Sequence, residues 1–232
     1  MENLTTNTTP EPQNVPKVTS DNYRLTIDEL ILAARTIINN STHVEIAPLL
    51  LKRGYAPLDM NNAKLMVDSL QLLDEKQKKE YGEQYEATKT YTNDWNELQI
   101  IYSEHVELGR IVFKNDLQNY VQLGLQGERK RSFSGFAQQA KQYYNNALKD
   151  LLVMDALSKK GISKTELEDT LVLIDKVEKE KFDQRKETGE AQQATKNRDV
   201  ALDTLSEWFG DFKRIALKVF LGKPQLLKIL GL

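Results

Sequence analysis

Gln77-Lys78-Lys79-Glu80-Tyr81-Gly82-Glu83-Gln84-Tyr85-Glu86-Ala87-Thr88-Lys89 and Gln184-Arg185-Lys186-Glu187-Thr188-Gly189-Glu190-Ala191-Gln192-Gln193-Ala194-Thr195-Lys196 decide the architecture. Eight of the 13 positions are identical, in the pattern Q-x-K-E-x-G-E-x-x-x-A-T-K, at an offset of 107 residues. Carried outward, the same offset aligns residues 30–125 with 137–232 without a gap. Gly54 then falls on Gly161, Leu98 on Leu205, Phe113 on Phe220, and Leu123-Gly124-Leu125 on Leu230-Gly231-Leu232. Two helical stretches can share hydrophobic phase by convergence. So many polar identities at one offset point instead to two diverged copies of one unit.

Around these segments, core-like residues recur at alternating three- and four-residue steps. In the first copy they are Ala63, Met66, Leu70, Gln77, Tyr81, Gln84, Thr88, Tyr91, Trp95, Leu98, Tyr102, His105, Gly109 and Val112, with a poor step near Leu73 and Asp74. In the second they are Leu167, Leu173, Val177, Gln184, Thr188, Ala191, Thr195, Arg198, Leu202, Leu205, Phe209, Phe212, Ala216 and Val219. This is the spacing of a long, coiled-coil-like helix. The polar repeated segment admits two readings. It is the tip of a hairpin turning at Gly82 and Gly189, or the helix runs through it. No proline, Asn-Gly or Asp-Gly interrupts either copy and the phase never resets, so the continuous helix is favoured. Two helices of about 55 residues, roughly 80 Å each, then pair antiparallel and cross at the repeated segment. Gly82 and Ala87 are expected close to Gly189 and Ala194, on a pseudo-twofold axis, with three-helix bundles at both ends and a two-helix waist.

The flanking sequence supplies the shorter elements. Residues 1–22, rich in Thr, Asn and Pro, read as a disordered tail. Thr26 and Glu29 form a capping box. Leu30, Ala33, Ala34, Ile37 and Ile38 give the first helical face, which should run to about Leu51 and stop at Gly54, with a possible break at Asn39–Thr42. The first long helix should start near Asp59 and break at Lys114-Asn115-Asp116, before a short segment from Leu117 to Leu125. Residues 126–132 read as a linker. A second round opens at Ser132 or Ser134, with Phe136, Ala140, Tyr144, Ala147, Leu151 and Met154 on one face and Gly161 as its stop. A long helix follows Ser163, and Pro224 opens a short terminal one. The expected fold is all-α: an elongated antiparallel bundle of two tandem pseudo-repeats, 23–125 and 133–232, packed as one domain.

Charge and composition narrow the function. With 32 basic and 34 acidic residues the formal net charge is -2, so no overall field draws in nucleic acid, and the short basic runs at Lys76, Lys78 and Lys79 and at Arg129–Arg131 are interleaved with acids. The chain has no cysteine, which removes disulfides and thiolate chemistry. No signal peptide or apolar run long enough to span a membrane is legible, so a cytoplasmic location without membrane insertion is expected. The glycosylation triplets at Asn3, Asn7 and Asn40 read as chance.

Neither histidine, His43 nor His105, belongs to a Glu-x-x-His unit, because Asn40 and Tyr102 stand three residues before them. His105 aligns with Phe212, which suits packing rather than metal binding. Arg198 should pair with a carboxylate such as Asp94 or snorkel to solvent. Adjacent Tyr143 and Tyr144 cannot share one helix face, so one should lie near an edge. No phosphate loop, dinucleotide fingerprint or nucleophile elbow is present, and no catalytic residue, cofactor or metal is expected. The candidate interaction or crossing surface is Lys79, Glu80, Gly82, Glu83 and Lys89 with Lys186, Glu187, Gly189, Glu190 and Lys196. Its charges read as surface links or as a recognition patch displayed twice. The expected function is a non-catalytic scaffold or interaction module for another protein; the alternative is a small-ligand binder or enzyme using an inter-helical pocket.

Arg198-Asp199, Ala201-Leu202, Leu205, Trp208, Phe212, Ile215-Ala216, Pro224-Gln225-Leu226-Leu227 and Leu230-Gly231 resemble the closing segment of a group of bacterial all-helical proteins of unknown function. The resemblance covers about the last 45 residues and carries no chemistry. The first repeat departs from it, with Leu117 for Pro224 and His105 for Phe212.

Overall fold

A computed structural model describes residues 25–232; the expected tail, Asn3 and Asn7 lie outside them. The described residues form helices without a strand: α1 Ile27–Asn40, α2 Ala47–Leu51, α3 Pro57–Val112, α4 Leu117–Gln122, α5 Phe133–Lys149, α6 Leu151–Ser158, α7 Lys164–Val219 and α8 Pro224–Leu230. None of them is long and apolar enough to cross a membrane.

The starts follow local chemistry. Thr26 Oγ1 accepts from Glu29 N at 3.3 Å while Thr26 N donates to the Glu29 carboxylate at 2.8 Å. That hydrogen bonding holds the Glu29 carboxyl below the usual range. Ser163 caps α7 by accepting from Glu166 N at 3.1 Å, and Ser132 caps α5 by accepting from Gly135 N at 3.2 Å. Pro57 opens α3, two residues earlier than expected, and Asp59 accepts from Ala56 N at 2.8 Å. Gly54 and Gly161, with φ of +89° and +90°, turn the chain after α2 and α6 into the two long helices.

Two expected helices are broken. The first ends at Asn40, within the polar stretch Asn39–Thr42 where the sequence allowed a break: residues 41–46 form turns in which Ser41 and Thr42 donate their hydroxyls back to Ile38 O and Asn39 O. The second stops at Asp150, in extended conformation, where its carboxylate accepts from Leu152 N and Val153 N and starts α6.

Both long helices are continuous over 56 residues, about 84 Å at 1.5 Å per residue. Neither Gly82 nor Gly189 turns the chain, so the hairpin reading fails. The helices run antiparallel: His105 meets Glu166, Asp94 meets Lys176 and Lys181 meets Tyr91, and in each pair the two numbers add to between 270 and 272. Pro57–Val112 and Lys164–Val219 lie 107 residues apart at both ends, as do the starts of α4 and α8. With that register and that offset, each long helix meets its own counterpart near residues 82 and 189.

The short helices pack across the repeat boundary. α1 and α2 lie with α8, the beginning of α3 and the end of α7, where Leu30, Ala34, Leu70 and Leu205 share one apolar cluster and Ile37, Met60, Phe212 and Leu230 another. α5 and α6 lie at the far end, where Tyr102, Phe136, Tyr143, Leu157, Leu167 and Ile174 form the largest cluster. Asn40 Nδ2 donates to Ile229 O and Asn146 Nδ2 to Gln122 O, both at 2.6 Å, tying α1 to α8 and α5 to the end of α4. Each end therefore contains parts of both repeats. Between Leu70 and Tyr91, and between Val177 and Ala201, neither long helix contributes to an apolar cluster, and the middle is two helices thick.

The composite ends predict that residues 23–125 alone do not fold as a monomer, since Leu205, Phe212 and α8 would be missing from its core. Circular dichroism combined with sedimentation tests this; a helical, cooperatively melting monomer would contradict it.

Candidate interaction surface at the helix crossing

The repeated segments lie side by side, but the residues that meet are not the ones expected. An α-helix turns 100° per residue, so only every third or fourth side chain can point at a neighbouring helix. On α3 that line runs through Asp74, Gln77, Glu80, Gln84, Ala87 and Tyr91, buried or half-buried; on α7 through Gln184, Glu187, Ala191, Ala194 and Arg198. Glu80, expected off the seam, is buried, and Tyr81, expected in it, is exposed. Asp74 also lies in the seam, joined to exposed Lys78 at 2.7 Å.

Gly82 and Gly189 stand at the level of the axis yet face away from each other: a Cβ built on either meets no atom within 4 Å. The close glycine approach is not present. The small residues in the seam are Ala87, Ala191 and Ala194. The structure gives no steric reason for glycine at 82 or 189.

One groove of the crossing is acidic. It encloses about 630 Å³ and is lined by Glu80, Glu83, Glu86, Glu180, Asp183, Glu187 and Glu190, with Lys79 and Lys186 as the cations. Lys79 reaches Glu83 at 3.0 Å; Lys186 reaches Glu187 at 2.9 Å and Glu190 at 3.4 Å. Lys89 is exposed and 4.0 Å from Glu86, and Lys196 is exposed. At one end of this groove Lys176 Nζ lies 2.5 Å from Asp94 and 3.8 Å from Glu180. The Lys176 contact holds the Asp94 carboxyl low, while burial, with Asp94 beside it, pushes Glu180 up. Glu180 Oε2 is buried without a hydrogen bond among the described residues. Arg198 does not take Asp94, which the antiparallel register sets opposite Lys176, 22 residues from Arg198 along α7; it folds back onto Asp199 of its own helix at 2.6 Å.

Around the rest of the crossing, exposed aromatics stand out from polar surroundings. Tyr81 and Tyr85, one turn apart on α3, are 62% and 63% exposed, and Phe182 on α7 is 69% exposed.

Away from the crossing, His105 is a packed residue. Its Nδ1 lies 3.0 Å from Tyr144 Oη and its Nε2 3.1 Å from Glu166 Oε1. An ionised carboxylate can only accept, so in the neutral ring Nε2 carries the proton and Nδ1 accepts from Tyr144. Tyr143 and Tyr144 are both fully buried, against expectation, because α5 buries a broad arc: Tyr143 Oη donates to His105 O at 2.9 Å while Tyr144 takes the ring nitrogen. Burial pushes the Tyr102 hydroxyl up to about 12, and raises Tyr143 and Tyr144 as well. His43 sits in the exposed turn before α2, its Nδ1 accepting from Glu45 N at 3.3 Å.

No protein-family model matches the sequence, and no curated protein or solved structure matches it either.

Because Gly82 and Gly189 face open space inside helices, Gly82→Ala and Gly189→Ala should each stabilise the protein by about 0.5–1 kcal/mol. Urea unfolding measures this; a loss of stability in either variant would mean that the backbones approach each other there.

Proposed function

We propose that this protein is a non-catalytic helical scaffold or protein-interaction module, made from two diverged copies of one helical unit. The observation that carries this reading is the two-helix waist. Its apolar core is minimal, yet it displays Tyr81, Tyr85 and Phe182 to solvent. Exposed aromatics supply contact area at low entropic cost and are enriched where proteins bind one another. The 84 Å helices hold the two end bundles apart at a fixed distance, which suits a spacer or docking rod. If the waist binds a protein, a photo-crosslinker at position 85 in native cells should give discrete adducts, and Tyr81→Ser with Phe182→Ser should remove them while leaving helicity unchanged. Absence of wild-type adducts, or their persistence in the double variant, would count against the reading.

A groove at one end favours small-ligand binding as the second reading. It encloses about 760 Å³ between α1, α2 and the start of α3, lined mainly by apolar groups including Ile38, Leu50, Leu51, Tyr55 and Met60. Ser41, Ala47 and Lys64 on its walls align with Leu148, Met154 and Leu171, which pack against the core at the other end. The groove is thus the space that larger side chains fill in the second repeat. Its size and lining suit a small, mostly apolar molecule. Ser41→Leu with Lys64→Leu should fill it and abolish uptake of an apolar fluorescent probe; a probe signal that survives filling would place the ligand elsewhere.

A further inference from the structure

The antiparallel register turns a motif written twice into one four-glutamate groove. Lys-Glu-x-Gly-Glu contributes Glu80 and Glu83 from α3 and Glu187 and Glu190 from α7. Carboxylate oxygens of Glu80, Glu187 and Glu190 all lie within 4.8 Å of one another. Lys186 answers Glu187 and Glu190, and Lys79 answers Glu83. Glu80 is different. It is 9% exposed and has no hydrogen bond or ion pair among the described residues, and its carboxylate points across the groove at two other carboxylates. A cation that joined Glu80 there would pair with the two carboxylates it faces as well.

We propose that the crossing groove binds a hard divalent cation of the calcium class, held by Glu80 of α3 together with Glu187 and Glu190 of α7. The donors are all carboxylate oxygens, which select hard cations over softer metals. Their oxygens lie within 4.8 Å of one another, close enough for small side-chain movements to bring all three onto one ion at calcium–oxygen distances of about 2.4 Å. Glu187 and Glu190, three residues apart, share one helix face, and the groove opens to solvent, so water completes the coordination shell. Lys186 gives up its contacts and swings into solvent. The ion bridges α3 and α7 where no short helix covers them, and so clamps the waist. This site is independent of which partner the scaffold takes.

The test uses the full chain, stripped with a chelator and then given calcium chloride alone, followed by calorimetry and thermal melting. Sodium chloride at matched ionic strength is the control. The expected result is uptake of one ion per chain and a rise in melting temperature on binding. Glu80→Gln and Glu187→Gln should each weaken binding by about tenfold or more, a loss of the order expected for one charged ligand. Glu80→Gln should also melt higher than wild type without the ion, because a like charge with no partner has gone, and a cooperative helical melt in both variants shows that they fold. Glu128→Gln, in the linker before α5, should bind as wild type does. The site is overturned by no uptake at about 1 mM, the weak end for carboxylate calcium sites. Equal affinity in the Glu80 and Glu187 variants, or stabilisation reproduced by sodium chloride, would overturn it too.

Discussion

The antiparallel register of α3 against α7 is the constraint on which the rest depends. Each helix is 56 residues long, far longer than one small bundle can cover. Pairing head to tail brings the beginning of one helix against the end of the other, and each short helix finds a two-helix saddle made from both repeats. α1 could not bury Leu30, Ala34 and Ile37 against its own long helix alone; Leu205, Phe212 and Ala216 from the other copy close that core. The apolar burial that stabilises each end therefore joins distant parts of the chain, in the arrangement that a symmetric dimer would have.

Register also explains the polarity of the middle. A two-helix waist leaves most of each helix surface in water, so a strongly apolar seam there would expose a patch on either side. The seam instead uses Gln77, Gln84, Gln184, Ala87, Ala191 and Ala194, with acids along one groove. Stability falls to the two ends, and the waist is left to charge. Lys79 pairs with exposed Glu83 and Lys186 with half-buried Glu187; both lysines stand in solvent, so these ion pairs contribute little to stability. What the waist gains from its charge is a concentrated negative field, not cohesion.

The two ends differ by small exchanges with traceable effects. At one end Phe212 packs against Trp208 and, edge-on, against Tyr55, with ring centroids 5.4 and 4.9 Å apart. At the other, His105 occupies the matching position and is held by Tyr144 and Glu166. Glu166 is free to do so because Ser163 supplies the cap of α7, whereas its counterpart Asp59 must cap α3 in place of a serine. Gly109 in turn makes room for Tyr143: a Cβ there would stand 3.2 Å from the Tyr143 hydroxyl, which reaches the His105 carbonyl. The matching residue is Ala216, and Thr36 stands at the position that matches Tyr143. One end thus has a closed hydrogen-bonded set where the other has apolar contacts and an open groove.

The all-helical class, the long helices, their caps and the glycine stops were legible in the sequence, because each rests on interactions within about four residues along the chain: Thr26 with Glu29, Ser163 with Glu166, and the unbroken three-four spacing through residues 77–89. The antiparallel crossing was legible too, because a repeat that agrees most in its least apolar stretch is packing against itself. What that reasoning misassigned is which face meets which. Heptad phase placed Tyr81 in the seam and Glu80 outside it, and it drew Gly82 and Gly189 together. In the structure the seam rotates to Glu80 and Ala87 and the glycines look outward. Near the axis the side chains are weakly apolar on every face, so hydrophobic pattern cannot fix helix rotation there. The apolar ends, tens of ångströms away, fix it instead. For the same reason the acidic groove and its unpaired Glu80 exist only in three dimensions: residues 80 and 187 become neighbours because Leu70 and Leu205 share one apolar cluster and Tyr102 and Ile174 another, groupings that no local stretch of sequence encodes.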